Sequence, residues 1–432
     1  MNKLRPLRRA VRALRLAALL ALPFAPCPAA ADPVTEWTVL ADQIGGGRTA
    51  NWHTLAIMHR AMHDAANAAL PIYARWDPPA PDEPPGMGAV PQAAMAAAGR
   101  EVVVLLHPAR RAEADGLLRQ ALDRMQPGEA REAGVALGRA VGAAAVARRQ
   151  DDGFERRHFF SGGTAPGQWR PPPSGPGGYT ETRPFLFRDL DDAAPRPPPP
   201  PGSEAYRAGV DEVRRLGAMT TPARSRAEAE TAVFWAYQLP QRGVVLFAAD
   251  LLDDHPRPLG QAEAARIMSQ VASAMADAAV LAWGEKLRYL LWRPISAIQE
   301  GGFGVVADPG WRPLIDTPNH PEYPSGHATD CHTGAALLQT VFGRSLGAVT
   351  YAYRLGSGEW GDGSVPAITD GMPGPDGQIE GQRRYASGAA VAQECARSRV
   401  WAGVHFPAAN EEGRRLGTLI AARAAAAVPP LR

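Results

Sequence analysis

Between Ser161 and Pro201 the chain reads SGGTAPGQWRPPPSGPGGYTETRPFLFRDLDDAAPRPPPPP. Proline has no backbone donor and its ring clashes with the preceding helical turn, so neither a helix nor an inner strand can run through this stretch. Regular structure is confined to either side, and the stretch reads as a long irregular connection between two helical halves. Before it, residues 52–70, 91–106, 111–125 and 131–149 carry apolar residues at helical spacing, rich in alanine and poor in β-branched residues. After it, Ser203 suits an N-cap and Gly217 a stop, framing a helix over residues 203–216. Helical patterning continues over residues 227–237, 261–291, 328–342, 383–396 and 411–428. Residues 346–381, rich in Gly, Asp and Pro, read as a second loop region, and no strand series or internal repeat stands out. The expected fold is all-α, a large helical bundle with long Pro/Gly-rich loops.

The first 31 residues have the form of a secretory signal. Basic residues from Lys3 to Arg15 precede an apolar run from Leu16 to Ala25, too short to span a bilayer, and small residues end at Ala31. The expected organisation is therefore residues 1–31 as signal peptide, 32–201 as the N-terminal half with its connection, and 202–432 as a C-terminal bundle. Six basic residues and no acids lie in the leader, so the mature chain carries 40 basic against 44 acidic residues, a net of −4. Nucleic-acid binding loses its electrostatic support on that count. An exported protein, periplasmic or secreted and without a membrane span, is expected. After the leader only Cys331 and Cys395 remain, too few for a disulfide framework, although an exported chain can pair them.

Three pieces of the C-terminal half could hold an anion. In EKLRYLLWRP, Lys286 and Arg293 are seven apart, two helical turns, so both project from one face, roughly the face of Trp283 and Leu290. In HPEYPSGHATDCH the prolines forbid helix up to Ser325, and Ser325, Gly326 and His327 then form a helix opening. Its free N–H groups and positive dipole end attract anions. In SRVWAGVHFP, Arg399 closes one helix while His405 opens the next. Each piece alone has a plainer reading: a solvated charged face, an ordinary Ser N-cap, a structural histidine. Together they offer Lys286, Arg293, Arg399, Ser325, the Gly326 N–H, His327 and His405, a donor set suited to a phosphate-sized trianion.

Lys-x6-Arg-Pro, Pro-Ser-Gly-His and Ser-Arg-x5-His, in this order, resemble the three-part pattern of the superfamily that joins type-2 phosphatidic acid phosphatases to vanadium-dependent haloperoxidases. The chain is most similar to the bacterial haloperoxidase group. RAMHDAANAA, GQWRPPP, RPFLF, the stretch from Pro197 to Gly217 and FWAYQ share its character, and 70 residues separate His327 from Ser398, ordinary for a peroxidase but long for a compact phosphatase. The resemblance implies an all-α bundle with vanadate bonded through His405 and its oxygens held by Lys286, Arg293, Ser325, Gly326 and Arg399. It also implies that His327 takes a proton from hydrogen peroxide and Lys286 polarises the oxidant, so that a halide leaves as hypohalous acid for a small organic acceptor. Trp283 and His320 fall where related enzymes line the halide pocket, and relatives often form homo-oligomers.

Two positions depart from the family pattern. Ala409 stands where many members carry an aspartate that hydrogen-bonds the metal-binding histidine, with Asn410 or Glu411 as possible substitutes. Gln238 stands where fungal relatives have an aspartate paired with the site arginine. The same cradle also suits a phosphatase in which His405 attacks the phosphate ester and His327 protonates the leaving alcohol, with no cofactor. A non-catalytic oxyanion-binding protein is the third reading. Cys331 and Cys395 each lie one helical turn from a site residue and are placed to form a disulfide, against two separate buried thiols. His53, His59 and His63 read as packing or surface residues rather than metal ligands, and His332 is expected to point away from the cradle.

Overall fold

A computed structural model describes residues 33–44, 51–156, 161–170, 181–194, 196–237, 240–253, 259–343, 349–355, 371–373 and 379–431. The signal-peptide reading of residues 1–31 and the Gln238 departure lie outside them. The helices are α1 (Pro33–Ile44), α2 (Trp52–Ala69), α3 (Pro91–Leu106), α4 (Arg111–Asp123), α5 (Glu129–Ala147), α6 (Glu204–Leu216) and α7 (Arg226–Tyr237). They continue as α8 (Pro240–Asp253), α9 (Gln261–Tyr289), α10 (Pro294–Glu300), α11 (Gly326–Val341), α12 (Gly388–Trp401) and α13 (Pro407–Ala426). The expected all-α bundle stands. A small addition corrects the loop assigned to residues 346–381: β1 (Val349–Leu355), β2 (Gly371–Pro373) and β3 (Ile379–Tyr385) form an antiparallel sheet in the order β1-β3-β2. VTYAYRL is rich in β-branched and aromatic residues, the composition of a strand. The helix expected over residues 383–396 is shifted accordingly, starting at Gly388 where Ser387 caps it through Ala390 N.

Helix α9 is the axis of the molecule. It is buried along most of its length and packs against α2, α8, α11 and α13, so one apolar core takes side chains from both sides of the Pro/Gly-rich connection. The described parts of the connection, residues 161–170 and 181–194, reach this helix. The Asp277 carboxylate of α9 accepts from the Phe185 and Leu186 N–H groups at 2.6 and 2.7 Å, and Trp169 N donates to Leu290 O at 2.8 Å. Irregular backbone thus stays satisfied while it covers the core.

Where the site lies, α11 and α13 meet at very short range. A Cβ on Gly413 would sit 2.8 Å from Ser325 O, so only glycine lets α13 lie directly against the start of α11.

The three N-terminal histidines are core residues. His53 contacts Asp152 at 2.8 Å, and His63 contacts Ala74 O at 2.9 Å. Thr38 donates its hydroxyl hydrogen to Val34 O at 2.8 Å, so His59 Nε2 must be the donor in their 3.1 Å contact. The lone pair on His59 Nδ1 is left unpaired. Full burial holds the His59 imidazole neutral, its pKa lowered to about 3. Below the unfolded value of about 6.5 the unfolded chain takes up a proton that the native state refuses, so stability falls as pH drops. At pH 4 this group is expected to cost about 3 kcal/mol relative to pH 7. His59→Gln keeps a donor to Thr38 and should flatten the acid limb, read as melting temperature at pH 7 and pH 4. An unchanged pH dependence would count against the assignment.

Candidate active site

The site forms where α9 and α12 end and where α11 and α13 begin. Lys286 lies in the last turn of α9, and Leu290, in the left-handed conformation (φ 43°), ends that helix. Arg293 is therefore not on the same helix face as Lys286, contrary to the sequence expectation. It sits in extended backbone (φ −79°, ψ 159°) as the N-cap of α10, because a residue before proline avoids the helical region. The chain leaves α9, crosses under the 320s segment and aims Arg293 back into the same centre.

That 320s segment closes the site from the other side. Ser325 caps α11, its hydroxyl accepting from Ala328 N, so Gly326 and His327 occupy the first turn as expected. Ser325 N in turn donates to Ala409 O at 3.1 Å, fixing the first turn of α13 beside it. On the third wall, Arg399 falls in the last turn of α12, and His405 directly precedes Phe406, the N-cap of α13. The backbone N–H groups of Val404 and His405 both donate to Arg399 O, which holds the Trp401–Gly403 turn tight.

The expected residues converge, and their hydrogen bonds are specific. Arg293 donates through Nε to His320 O (2.8 Å), through Nη1 to Val404 O (2.6 Å) and His405 Nε2 (3.1 Å), and through Nη2 to His320 Nδ1 (2.8 Å). Since guanidinium only donates, His320 Nδ1 carries a lone pair. The 3.1 Å approach of that nitrogen to Pro321 O is then not a hydrogen bond. Lys286 Nζ donates to the carbonyls of Pro321, Glu322 and Pro324. Its three protons are thus turned onto the 320s backbone. His320 packs on Trp283 with ring centroids 4.9 Å apart, bringing together the two residues expected in a halide pocket. His332 contacts Ala328 O on its own helix at 2.8 Å and faces away toward α13, as expected.

Both central histidines have assignable tautomers. His327 Nε2 lies 2.8 Å from Trp235 O, and a carbonyl only accepts, so Nε2 is protonated and Nδ1 bears the lone pair. His405 Nδ1 lies 3.0 Å from Glu322 Oε1, leaving the Nε2 lone pair to face Arg293. Neither Asn410 nor Glu411 makes this contact: Asn410 Nδ2 donates to Ala396 O, and Glu411 pairs with Arg414. Glu322 is the functional residue that motif reading missed. A lone acid inside PEYP, between two prolines and next to a buried tyrosine, was the available signal, because a buried carboxylate demands a partner.

Burial and crowded positive charge set the protonation of the centre. His327 and His405 are held well below the ordinary histidine value, first by desolvation and then by Arg399 for His327 and Arg293 for His405. Lys286 is likewise pushed well down by burial and by Arg293. Burial alone lowers Arg399 to about 10, and burial lowers Arg293 to about 9 despite the opposing charge of Glu322. Burial raises Glu322 to about 7, offset in part by Arg293, the Phe406 N–H and Lys286. Every cationic group is disfavoured in its charged form, because burial strips its hydration and brings like charges together.

Arg399 is the sharpest case. It is 2 % exposed, and its Nε and Nη1 have no hydrogen-bond partner among the described residues. Leaving buried guanidinium donors unsatisfied is costly, and an oxyanion is the partner their planar fork fits. The donor set therefore fits vanadate or phosphate: cations, hydroxyl and N–H groups around one imidazole nitrogen. Among the described residues no group of three or more His, Cys, Asp or Glu could hold a metal ion, so a hydrated divalent cation would lack ligands there.

Cys331 and Cys395 form a disulfide joining α11 to α12, one turn from His327 and one turn from Arg399. The pairing expected from their placement is present.

Fold and site together define a helical-bundle protein with buried cationic and hydrogen-bond-donating groups gathered among its helix ends. Residues 266–431 match the family model of the VCPO second helical-bundle domain. Over 93 residues the chain is 36 % identical to the vanadium chloroperoxidase of Curvularia inaequalis, a match spanning 19 % of this chain and 15 % of that protein. Among solved structures it is similar to a bacterial vanadium-dependent iodoperoxidase, at TM-score 0.66 and 21 % identity over 93 % of this chain and 95 % of the other. It is also similar to a bacterial vanadium-dependent chloroperoxidase, at TM-score 0.60 and 18 % identity over 93 % of each chain. The chain has the fold of these vanadium-dependent haloperoxidases.

Proposed function

We propose that this chain is a vanadate-dependent haloperoxidase, oxidising halide with hydrogen peroxide to hypohalous acid. The observation that carries the reading is the buried Arg399 guanidinium, with two unpaired nitrogens, whose charge acts on both His327 and His405. Vanadate, when bound, supplies the activation of peroxide toward a halide. His405 Nε2 would hold it, once Arg293 Nη1 gives up that lone pair. Arg399, Arg293, the Ser325 hydroxyl and the Gly326 N–H would neutralise its oxygens, as preorganised donors do at developing oxyanions. Lys286 would join them by releasing one of its three carbonyl contacts.

His327 acts as base through Nδ1, the nitrogen its bond to Trp235 leaves unprotonated, and takes the proton of an incoming peroxide there. Its lowered pKa keeps that nitrogen open near neutrality. Trp283 and His320 form the side where a halide would approach. Export to an oxidising compartment accords with the disulfide and with the leader-like N-terminus. No helix among the described residues is long and apolar enough to cross a membrane.

The test is bromination of a phenol dye and oxidation of iodide by purified protein, with and without orthovanadate. Both activities are expected to require vanadate and peroxide, and His405→Ala should fall to the vanadate-free background. Full activity in His405→Ala would sink the proposal. Phosphomonoester hydrolysis inhibited by vanadate, with no halide oxidation, would make the chain a phosphatase instead.

A further inference from the structure

We infer that Glu322, outside the three recognised motif pieces, is the carboxylate that positions His405 for the oxyanion, an assignment that rests on the proposed function only for the identity of that ligand. Glu322 Oε1 accepts from two donors of one turn, His405 Nδ1 at 3.0 Å and Phe406 N at 2.8 Å. The side chains of Glu322 and His405 are 0 % and 2 % exposed, so solvent offers neither an alternative partner. One oxygen thereby fixes both the ring and the chain entering α13. The second oxygen, Oε2, has no partner among the described residues, which leaves Glu322 committed to this turn.

The carboxylate is itself held in place. Glu322 N donates to Leu291 O at 2.9 Å, and Glu322 O accepts from Lys286 Nζ at 3.1 Å. The backbone of one residue thus engages the lysine while its side chain engages the histidine. Any displacement of Lys286 toward a bound oxyanion would act on the same peptide that anchors the Glu322 carboxylate. Acceptance of the Nδ1 proton forces the other nitrogen, Nε2, to be the unprotonated one, and an anionic partner raises its basicity. Ala409, on the first turn of α13, has no polar side-chain atom to do this, so the role has moved to a different segment of the chain.

The experiment uses the full chain labelled with ¹⁵N-histidine and free of vanadate. His405, assigned by its loss in His405→Gln, should show a protonated Nδ1 and an unprotonated Nε2. Glu322→Met, close in size but without an acceptor, should shift the Nδ1 resonance as its proton loses its partner, while Arg293 Nη1 still faces the Nε2 lone pair. Glu322→Gln, which keeps a carbonyl but not the charge, should restore the Nδ1 resonance but move that of Nε2. Calorimetry should find vanadate bound roughly 10- to 100-fold more weakly by Glu322→Met. An unchanged His405 spectrum in Glu322→Met overturns the assignment whatever happens to its melting temperature. If that variant does not fold, an unmoved Nε2 resonance in Glu322→Gln does the same. A shifted His405 spectrum in a chain whose parent binds no vanadate upholds Glu322 and sinks the haloperoxidase reading.

Discussion

Arg399→Met is expected to raise the melting temperature of the vanadate-free chain while abolishing its response to vanadate. Arg399 places a guanidinium at 2 % exposure with Nε and Nη1 unpaired, and burial alone depresses its pKa to about 10. An uncompensated charge in such a place destabilises the fold, and replacing buried ionic groups by apolar ones of similar size gains on the order of 1–4 kcal/mol. Methionine follows the same path through the core with an unbranched, adaptable chain. Function should move the opposite way. In the parent, vanadate at 100 times its Kd should stabilise by about 2.7 kcal/mol, since it binds only the folded state. Loss of one preorganised donor to an oxyanion commonly costs roughly 10²- to 10³-fold in rate. Thermal melts with and without orthovanadate, beside iodide oxidation, read both signs in one preparation. A destabilised Arg399→Met that still responds to vanadate would show that the guanidinium serves packing and not the anion.

Much of the site's composition could be read from sequence. Its groups fall in three short segments, each with its own spacing in the chain: Lys286 with Arg293, Ser325 with His327, Arg399 with His405. The helices were legible for a different reason. Alanine-rich runs with apolar residues at helical spacing can hardly form anything else, and the bounds of α3 and α6 follow directly from Pro91, Ser203 and Gly217. What escaped depended on tertiary placement. The path of the chain after Tyr289 turns on a left-handed Leu290, a conformation that sequence does not announce for leucine. Glu322 was invisible as a partner of His405 because 83 residues separate them and only the fold brings them to 3.0 Å. The sheet over Val349–Tyr385 was hidden by its Gly- and Pro-rich surroundings, although VTYAYRL has the composition of a strand.

Removal of the Cys331–Cys395 disulfide is expected to cost about 4 kcal/mol, because the bond closes a loop of 64 residues and so restricts the unfolded chain. Its position adds a functional cost. Cys331 lies one turn along α11 from His327, and Cys395 one turn before Arg399 on α12, so the bond ties two walls of the cradle together. Cys331→Ala with Cys395→Ala should therefore lower the melting temperature and weaken vanadate binding, as measured by calorimetry. Chemical reduction should add a third effect that the alanine pair does not share. Under the proposed function, two thiols beside a centre releasing hypohalous acid would be carried up the oxidation ladder during turnover, whereas a disulfide offers no thiolate to attack. Iodide oxidation by the reduced chain should thus decay with the number of turnovers, while the alanine pair holds a lower but steady rate. Equal decay in both would mean that the bond serves only to hold α11 and α12 together. Unchanged melting in both would mean that the helices are held by their packing, chiefly the close seat of α13 on Ser325 at Gly413.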